Sequence, residues 1–195
     1  TDPLTESGQE LLANLRRVSG GDSSPKQLDT IQTWGERTQY KAIFQPHLAE
    51  RGIPSVAVDS ADLITTNSNF GNANVDEQIS YSRMQAELLP HLEKNIVPVV
   101  PGFYGTDVDR NIVAFSRGGS DFTGALVAAG LRANHIDICT DTEGVLQVDP
   151  KRIPGTQYIN RLSYWEMLVF ARRGASVVHK NAVGPIMGNG VPGIP

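Results

Sequence analysis

The run Phe115-Ser116-Arg117-Gly118-Gly119-Ser120-Asp121-Phe122-Thr123 constrains this chain most, because a strand must give way to a helix within a few residues. Asn111–Phe115 reads as a strand, and Thr123–Leu131 reads as an apolar helix. The two adjacent glycines are free to take positive φ, and Ser120 or Asp121 stands where a helix N-cap is wanted. Such a turn aims backbone N–H groups and a helix N-terminus at one place, which suits a carboxylate or a phosphate. Downstream, the β-rich run Ile136-Asp137-Ile138-Cys139 ends on Thr140-Asp141-Thr142-Glu143-Gly144. In open α/β sheets ligands bind beyond the carboxyl ends of strands. Two polar strand ends with one outlook therefore define a candidate site.

The surrounding elements alternate. Glu6–Val18 has helical apolar spacing at Leu11, Leu12, Leu15 and Val18, and Ser24-Pro25 reads as an N-cap followed by proline at the first helical position. A long helix is predicted from about Lys26 to Arg51, bent near Gly35 and Pro46 and stopped by Gly52. Pro54–Val58 and Asp62–Thr65 are predicted strands, Ser68–Asn72 a polar turn, Gln78–Glu93 a helix and Ile96–Val100 a buried strand. Pro101–Asp107 reads as a glycine-punctuated loop. A hairpin-like Val145–Val148, an Asp149-Pro150 turn and helices at Ser163–Arg173 and His179–Met187 complete the order. Strands alternating with helices predict a three-layer αβα sandwich with a mainly parallel sheet.

Composition excludes several classes. With 17 basic against 21 acidic residues the net charge is −4, so neither nucleic acid nor a membrane surface is an expected partner. No apolar run approaches the ~20 residues of a membrane span. The single cysteine, Cys139, rules out an internal disulfide and a Cys-based zinc site; it is expected to be a small buried residue in a reducing cytoplasm. His47, His91, His135 and His179 lack ligand spacing, so no metal ligand is assigned. The chain has no Gly-x-Ser-x-Gly elbow, no Gly-x-x-x-x-Gly-Lys-Ser/Thr loop and no Gly-x-Gly-x-x-Gly run.

Arg117 and Asp121 are the sharpest candidates for chemistry, although a surface charge and a helix cap would explain them one at a time. Glu36 sits beside Gly35 within a helix and reads either as a solvated charge or as a ligand group. Phe103 is either a core aromatic or a residue turned towards a ligand from its glycine-rich loop.

Taken together, Ser116-Arg117-Gly118-Gly119-Ser120-Asp121, Thr140-Asp141-x-x-Gly144-Val145 and Asp149-Pro150 resemble the signature run of aspartate kinases in the amino-acid kinase family. Trp34-Gly35-Glu36-Arg37, the Thr66–Ala73 run, Val97–Gly105, Leu162–Met167 and Gly174–His179 agree with it, in the family's order, across about Leu28 to Pro192. The resemblance implies phosphorylation of the L-aspartate side-chain carboxylate by ATP with Mg²⁺, the first step of aspartate-family amino-acid or ectoine biosynthesis. It implies that Glu36 binds the substrate ammonium, that Arg117 holds a carboxylate, and that Phe103, Gly119, Ser120 and Asp121 line the pocket, with Arg117 and Asp121 in the catalytic role. Thr140, Asp141, Leu146, Asp149, Lys151, Arg152, Ser176 and Val177 would lie along the nucleotide. A homo-oligomer, a dimer, is implied as well.

The chain departs from the family pattern at named places. The opening Lys-Phe-Gly-Gly-Thr-Ser strand is missing, Ser176 stands where the family has a nucleotide-side lysine, Leu146 replaces a tyrosine, and Lys151 replaces an arginine. Residues 1–195 are accordingly expected to be a partial catalytic domain, unfinished at both ends and without the ACT regulatory domains. Such a piece would turn over ATP poorly by itself. The alternative is a catalytically degenerate relative that binds aspartate or a nucleotide, or regulates a partner of the same fold.

Overall fold

The computed structural model describes residues 3–139, 144–148, 153, 155–172 and 180–191. Helix α1 (Pro3–Ser19) lies on α2 (Pro25–Gln32) and α3 (Trp34–Gln39) through polar contacts. The Trp34 indole donates to the Ser7 carbonyl at 2.7 Å, Arg37 pairs with Glu10 at 3.0 Å, and Gln27 donates to Asn14 Oδ1 at 2.8 Å. Ser24 caps α2 as its sequence requires, accepting from the Gln27 N–H.

The single long helix of the sequence reading is instead four pieces. The first break falls at Thr33 rather than at Gly35, and a π-helical turn, Tyr40–Phe44, precedes α4 (Gln45–Glu50). Its physical cause is Pro46, which has no N–H and whose ring would crowd the carbonyl four residues back. Gln45 N–H reaches Tyr40 O, five residues back, and the widened turn accommodates the proline ring. Gly52, at φ +72°, ends the helix as predicted.

Strand β1 (Ser55–Ala57) pairs in parallel with β2 (Val97–Val99), Ser55 opposite Val97. Strand β3 (Tyr104–Thr106) runs antiparallel to β4 (Ile112–Ala114) and meets Thr65 in a parallel bridge. Helix α6 (Glu77–Leu92), capped by Asp76, and helix α7 (Gly119–Gly130) cover this layer. Between them Val58, Leu63, Ile64, Met84, Leu88, Phe115 and Leu126 form the main core. A second cluster, with Ala125, Ala128, Ala182, Ile186 and Val191, packs α7 against α9 (Lys180–Gly188). Helix α8 (Tyr164–Arg172) opens on a reciprocal cap in which Ser163 N–H donates to Glu166 at 2.8 Å and Glu166 N–H donates to Ser163 Oγ at 3.2 Å. The result is the α/β architecture expected from the alternation of elements.

Several local expectations are corrected. Asp62–Thr65 is not a strand, because Asp59 accepts from Ala61 N–H at 2.9 Å and starts a helical turn, α5 (Ser60–Leu63). The Pro101–Asp107 loop contains β3, since β4 supplies a ladder that local composition does not reveal. Val97 in β2 is 43% exposed, so that strand is not buried throughout. Ile136–Cys139 forms no strand because no described residue pairs with it, and Cys139 is exposed rather than buried. Ser120 and Asp121 do not cap α7. Gly118, at φ +82°, occupies the cap, and those two residues stand in the first turn.

The tip of the β3–β4 hairpin turns on Asp107, which is 4% exposed. Its carboxylate accepts from the backbone and side chain of Asn111 at 2.9 and 3.0 Å, from Ser68 Oγ at 2.9 Å and from Asp109 N–H at 3.1 Å. Burial alone would raise this acid's pKa, but the four donated bonds outweigh it and hold the carboxyl below its usual range. A lowered folded-state pKa adds stability above the unfolded value, ~3.9, and that stability is lost as pH falls through the folded value. Asp107→Asn is therefore expected to melt below the parent at pH 7, with the gap closing towards pH 3. A constant gap across that range would remove ionisation from the explanation.

Candidate functional site

Two turns meet beyond the ends of β2 and β4. The first is Pro101-Gly102-Phe103, and the second runs from Ser116 to Ser120 into α7. They approach so closely that side chains are excluded. A Cβ on Gly102 would lie 2.9 Å from Ser120 Cα, and one on Gly119 would lie 2.6 Å from Phe103 Cβ and 2.8 Å from Phe115 Cβ. Hydrogen bonds fasten the same contact. Phe103 N–H donates to Thr123 Oγ1 at 3.0 Å, the Thr123 hydroxyl donates to Gly119 O at 3.0 Å, and Phe115 N–H donates to Phe103 O at 2.8 Å.

Phe103 holds φ at +58°, a left-handed conformation that costs a residue with a Cβ about 1–2 kcal/mol. That cost persists because the surrounding bonds determine the backbone, and it places the ring edge-on to Tyr104, centroids 6.5 Å apart. Arg117 and Ser120 are exposed and Asp121 is half-buried in the first turn of α7, where its charge complements the helix dipole. Gly119 is buried.

Glu36 lies in the first turn of α3 and is half-buried. It borders a cavity of about 330 Å³ shared with Tyr40 and Phe44 on the helical side and with Val99, Val100 and Pro101 on the strand side. The fold thus sets Glu36 across a cavity from the first residue of the Phe103 turn, and packs that turn on Gly119 and Ser120. Of the nucleotide-side residues, Leu146 is half-buried and bridges Tyr158. Thr140, Asp141, Asp149, Lys151, Arg152, Ser176 and Val177 lie outside the described residues. Among the described residues no group of three or more His, Cys, Asp or Glu is arranged to hold a metal ion.

Two structural carboxylates, the buried Asp29 and the half-buried Asp59, escaped the sequence reading. Asp29, 2% exposed, accepts from Gly71 N–H and Ala114 N–H, both at 2.8 Å, and joins α2 to β4 just before the Arg117 turn. Asp59 accepts from Tyr104 as well as capping α5. Neither carried a mark in the sequence that set it apart from the other acids.

The sequence model described as the amino acid kinase family matches residues 7–194. An aspartokinase of Thermus thermophilus is 35% identical over 175 residues, covering 89% of this chain and 42% of its own length. An aspartate kinase of Pseudomonas fluorescens is 34% identical, covering 88% of this chain and 41% of its own. The crystal structure of E. coli aspartokinase III in complex with aspartate and ADP superposes with a TM-score of 0.88 at 28% identity, over 97% of this chain and 43% of that one. This chain therefore spans less than half the length of these relatives.

Proposed function

The chain belongs to the amino acid kinase family, and on that premise we propose that it supplies the aspartate-binding part of an aspartate kinase catalytic domain. The reaction is transfer of the γ-phosphoryl of ATP to the side-chain carboxylate of L-aspartate, giving 4-phospho-L-aspartate at the entry to aspartate-family or ectoine biosynthesis. The observation that carries this reading is the closure of the Phe103 turn on Gly119 and Ser120, opposite Glu36. Aspartate brings one ammonium and two carboxylates, so its site needs an acid and a bidentate cation. Glu36 is assigned to the ammonium and Arg117 to the α-carboxylate, while Phe103, Gly119, Ser120 and Asp121 form the wall.

Little acid–base work is required. The attacking carboxylate is ionised at neutral pH, with an ordinary pKa of ~3.9, so no strong base is needed. Orientation and charge neutralisation supply the rate. Mg²⁺ needs only one or two carboxylates besides phosphate oxygens. When bound, the cation would offset triphosphate charge. Thr140, Asp141, Leu146, Asp149, Lys151, Arg152, Ser176 and Val177 are assigned to the nucleotide. With the reading go a cytoplasmic setting, suited to a free Cys139, and a homodimer that light scattering would test.

Ser176, where the family carries lysine, favours a second reading: a relative that binds aspartate but turns over ATP weakly. Calorimetric titration with L-aspartate and with Mg-ATP, beside a hydroxamate assay, separates the two. Aspartate heat with turnover supports the kinase, aspartate heat without turnover supports the binder, and no aspartate heat sinks both. Arg117→Ala is expected to weaken aspartate about 10- to 100-fold, the worth of a charged hydrogen-bonded pair at roughly 1.5–3 kcal/mol. An unchanged affinity would take Arg117 out of the site.

A further inference from the structure

We propose that Asp59 is a positioning residue that sets the separation between the Glu36 and Phe103 walls of the cleft. It does so by holding Tyr40 and Tyr104 on one carboxylate. The inference rests on the aspartate-site reading above.

Asp59 stands at the start of α5, and capping that turn uses one oxygen, which accepts from Ala61 N–H at 2.9 Å. A cap requires nothing more, yet two phenols converge on the same group. Tyr104 donates to Oδ1 at 2.7 Å and Tyr40 donates to Oδ2 at 3.2 Å. Both rings are buried, at 0% and 6% exposure, so neither bond competes freely with water.

The positions of these tyrosines give the bonds their meaning. Tyr40 follows Glu36 by four residues in the helical run and borders the same cavity. Tyr104 directly follows Phe103, whose left-handed backbone needs external support. The next residue, Ser60, donates its hydroxyl to the carbonyl of Pro101, at the start of the Phe103 turn. Asp59 and Ser60 thus grip one wall through Tyr40 and the other through Tyr104 and Pro101. Burial first, and the Asp59 carboxylate second, push both phenols well above their usual pKa, so each remains a donor at any working pH.

Tyr40→Phe and Tyr104→Phe each delete one oxygen and leave the ring packing in place. Calorimetry on the whole protein is expected to show aspartate affinity falling about three- to tenfold in each, the worth of one hydrogen bond. Mg-ATP affinity should be unchanged. Tyr40→Phe combined with Glu36→Gln should lose less than the two losses summed, because Tyr40 acts through Glu36. Asp59→Asn, which keeps an acceptor for the cap, should match the loss of the weaker tyrosine variant or exceed it. Parent-like aspartate affinity in both tyrosine variants overturns the brace and leaves the aspartate site standing. Equal loss of both ligands together with a fallen melting temperature assigns Asp59 to stability alone and also overturns it. A parent that takes up no aspartate removes the site reading, and the brace with it.

Discussion

Gly119→Val is expected to destabilise the protein by about 1–3 kcal/mol and to abolish measurable aspartate binding. The first carbon of any side chain at this position would lie 2.6 Å from Phe103 Cβ, 2.8 Å from Phe115 Cβ and 3.0 Å from Phe103 Cα. Separations under 3 Å between carbons cannot persist, and the atoms that must yield belong to the backbone and the stiff base of two aromatic residues. Helix propensity acts the other way: alanine in place of glycine inside a helix gains roughly 0.5–1 kcal/mol. The clash wins at Gly119 because Phe103 is fastened by two backbone hydrogen bonds, its N–H to Thr123 Oγ1 and its carbonyl from Phe115 N–H, and has nowhere to go. Gly124, one turn further along the same helix, serves as the control. A Cβ there would meet only Ile136 Cδ1, at 3.7 Å, so Gly124→Ala should be neutral or stabilising. Thermal unfolding and aspartate titration of the two variants check the contrast, and similar behaviour would remove close approach as the reason for glycine at 119.

Asp29→Ala is expected to cost about 2–5 kcal/mol. Each buried N–H left without a partner costs roughly 1–3 kcal/mol, and this carboxylate serves two, those of Gly71 and Ala114. Ala114 is 1% exposed, so water cannot replace the acceptor there, whereas Gly71 lies nearer the surface and its loss is smaller. The damage would spread towards the site, because β4 leads directly into the Arg117 turn. Asp29→Asn keeps one acceptor oxygen and should lose less than half as much. Urea unfolding of the three proteins tests this, and a loss under about 0.5 kcal/mol for alanine would show that solvent or a rearranged backbone satisfies both donors.

Local chemistry was legible wherever a residue acts on neighbours a few positions away. Ser24-Pro25 and Gly52 mark their helix ends in sequence, because a cap is made within one turn. Apolar spacing located α1, helices were expected where α6, α8 and α9 form, and the strand–glycine–helix run around Gly118 located the turn that carries Arg117. The failures share a different cause. Ile136–Cys139 has every local mark of a strand, and β3 has few, yet only the second finds a ladder among the described residues. The capping choice at α7 went to Gly118 instead of Ser120 because the backbone there needs φ +82°, which glycine adopts without a Cβ penalty.

By itself, then, the amino-acid order determined the alternation of elements, the position of the anion-suited turn and the residue types on which the proposed aspartate site rests. Those features rest on periods, caps and charges that act over a few residues. The tertiary structure alone decided that the Phe103 turn closes on Gly119, that Glu36 faces it across a cavity, and which acids are buried. Asp29 meets Ala114 across 85 positions of sequence and Tyr104 meets Asp59 across 45. Contacts of that reach form only when the core brings β4, α2 and the Phe103 turn together, and no local preference of the chain encodes them.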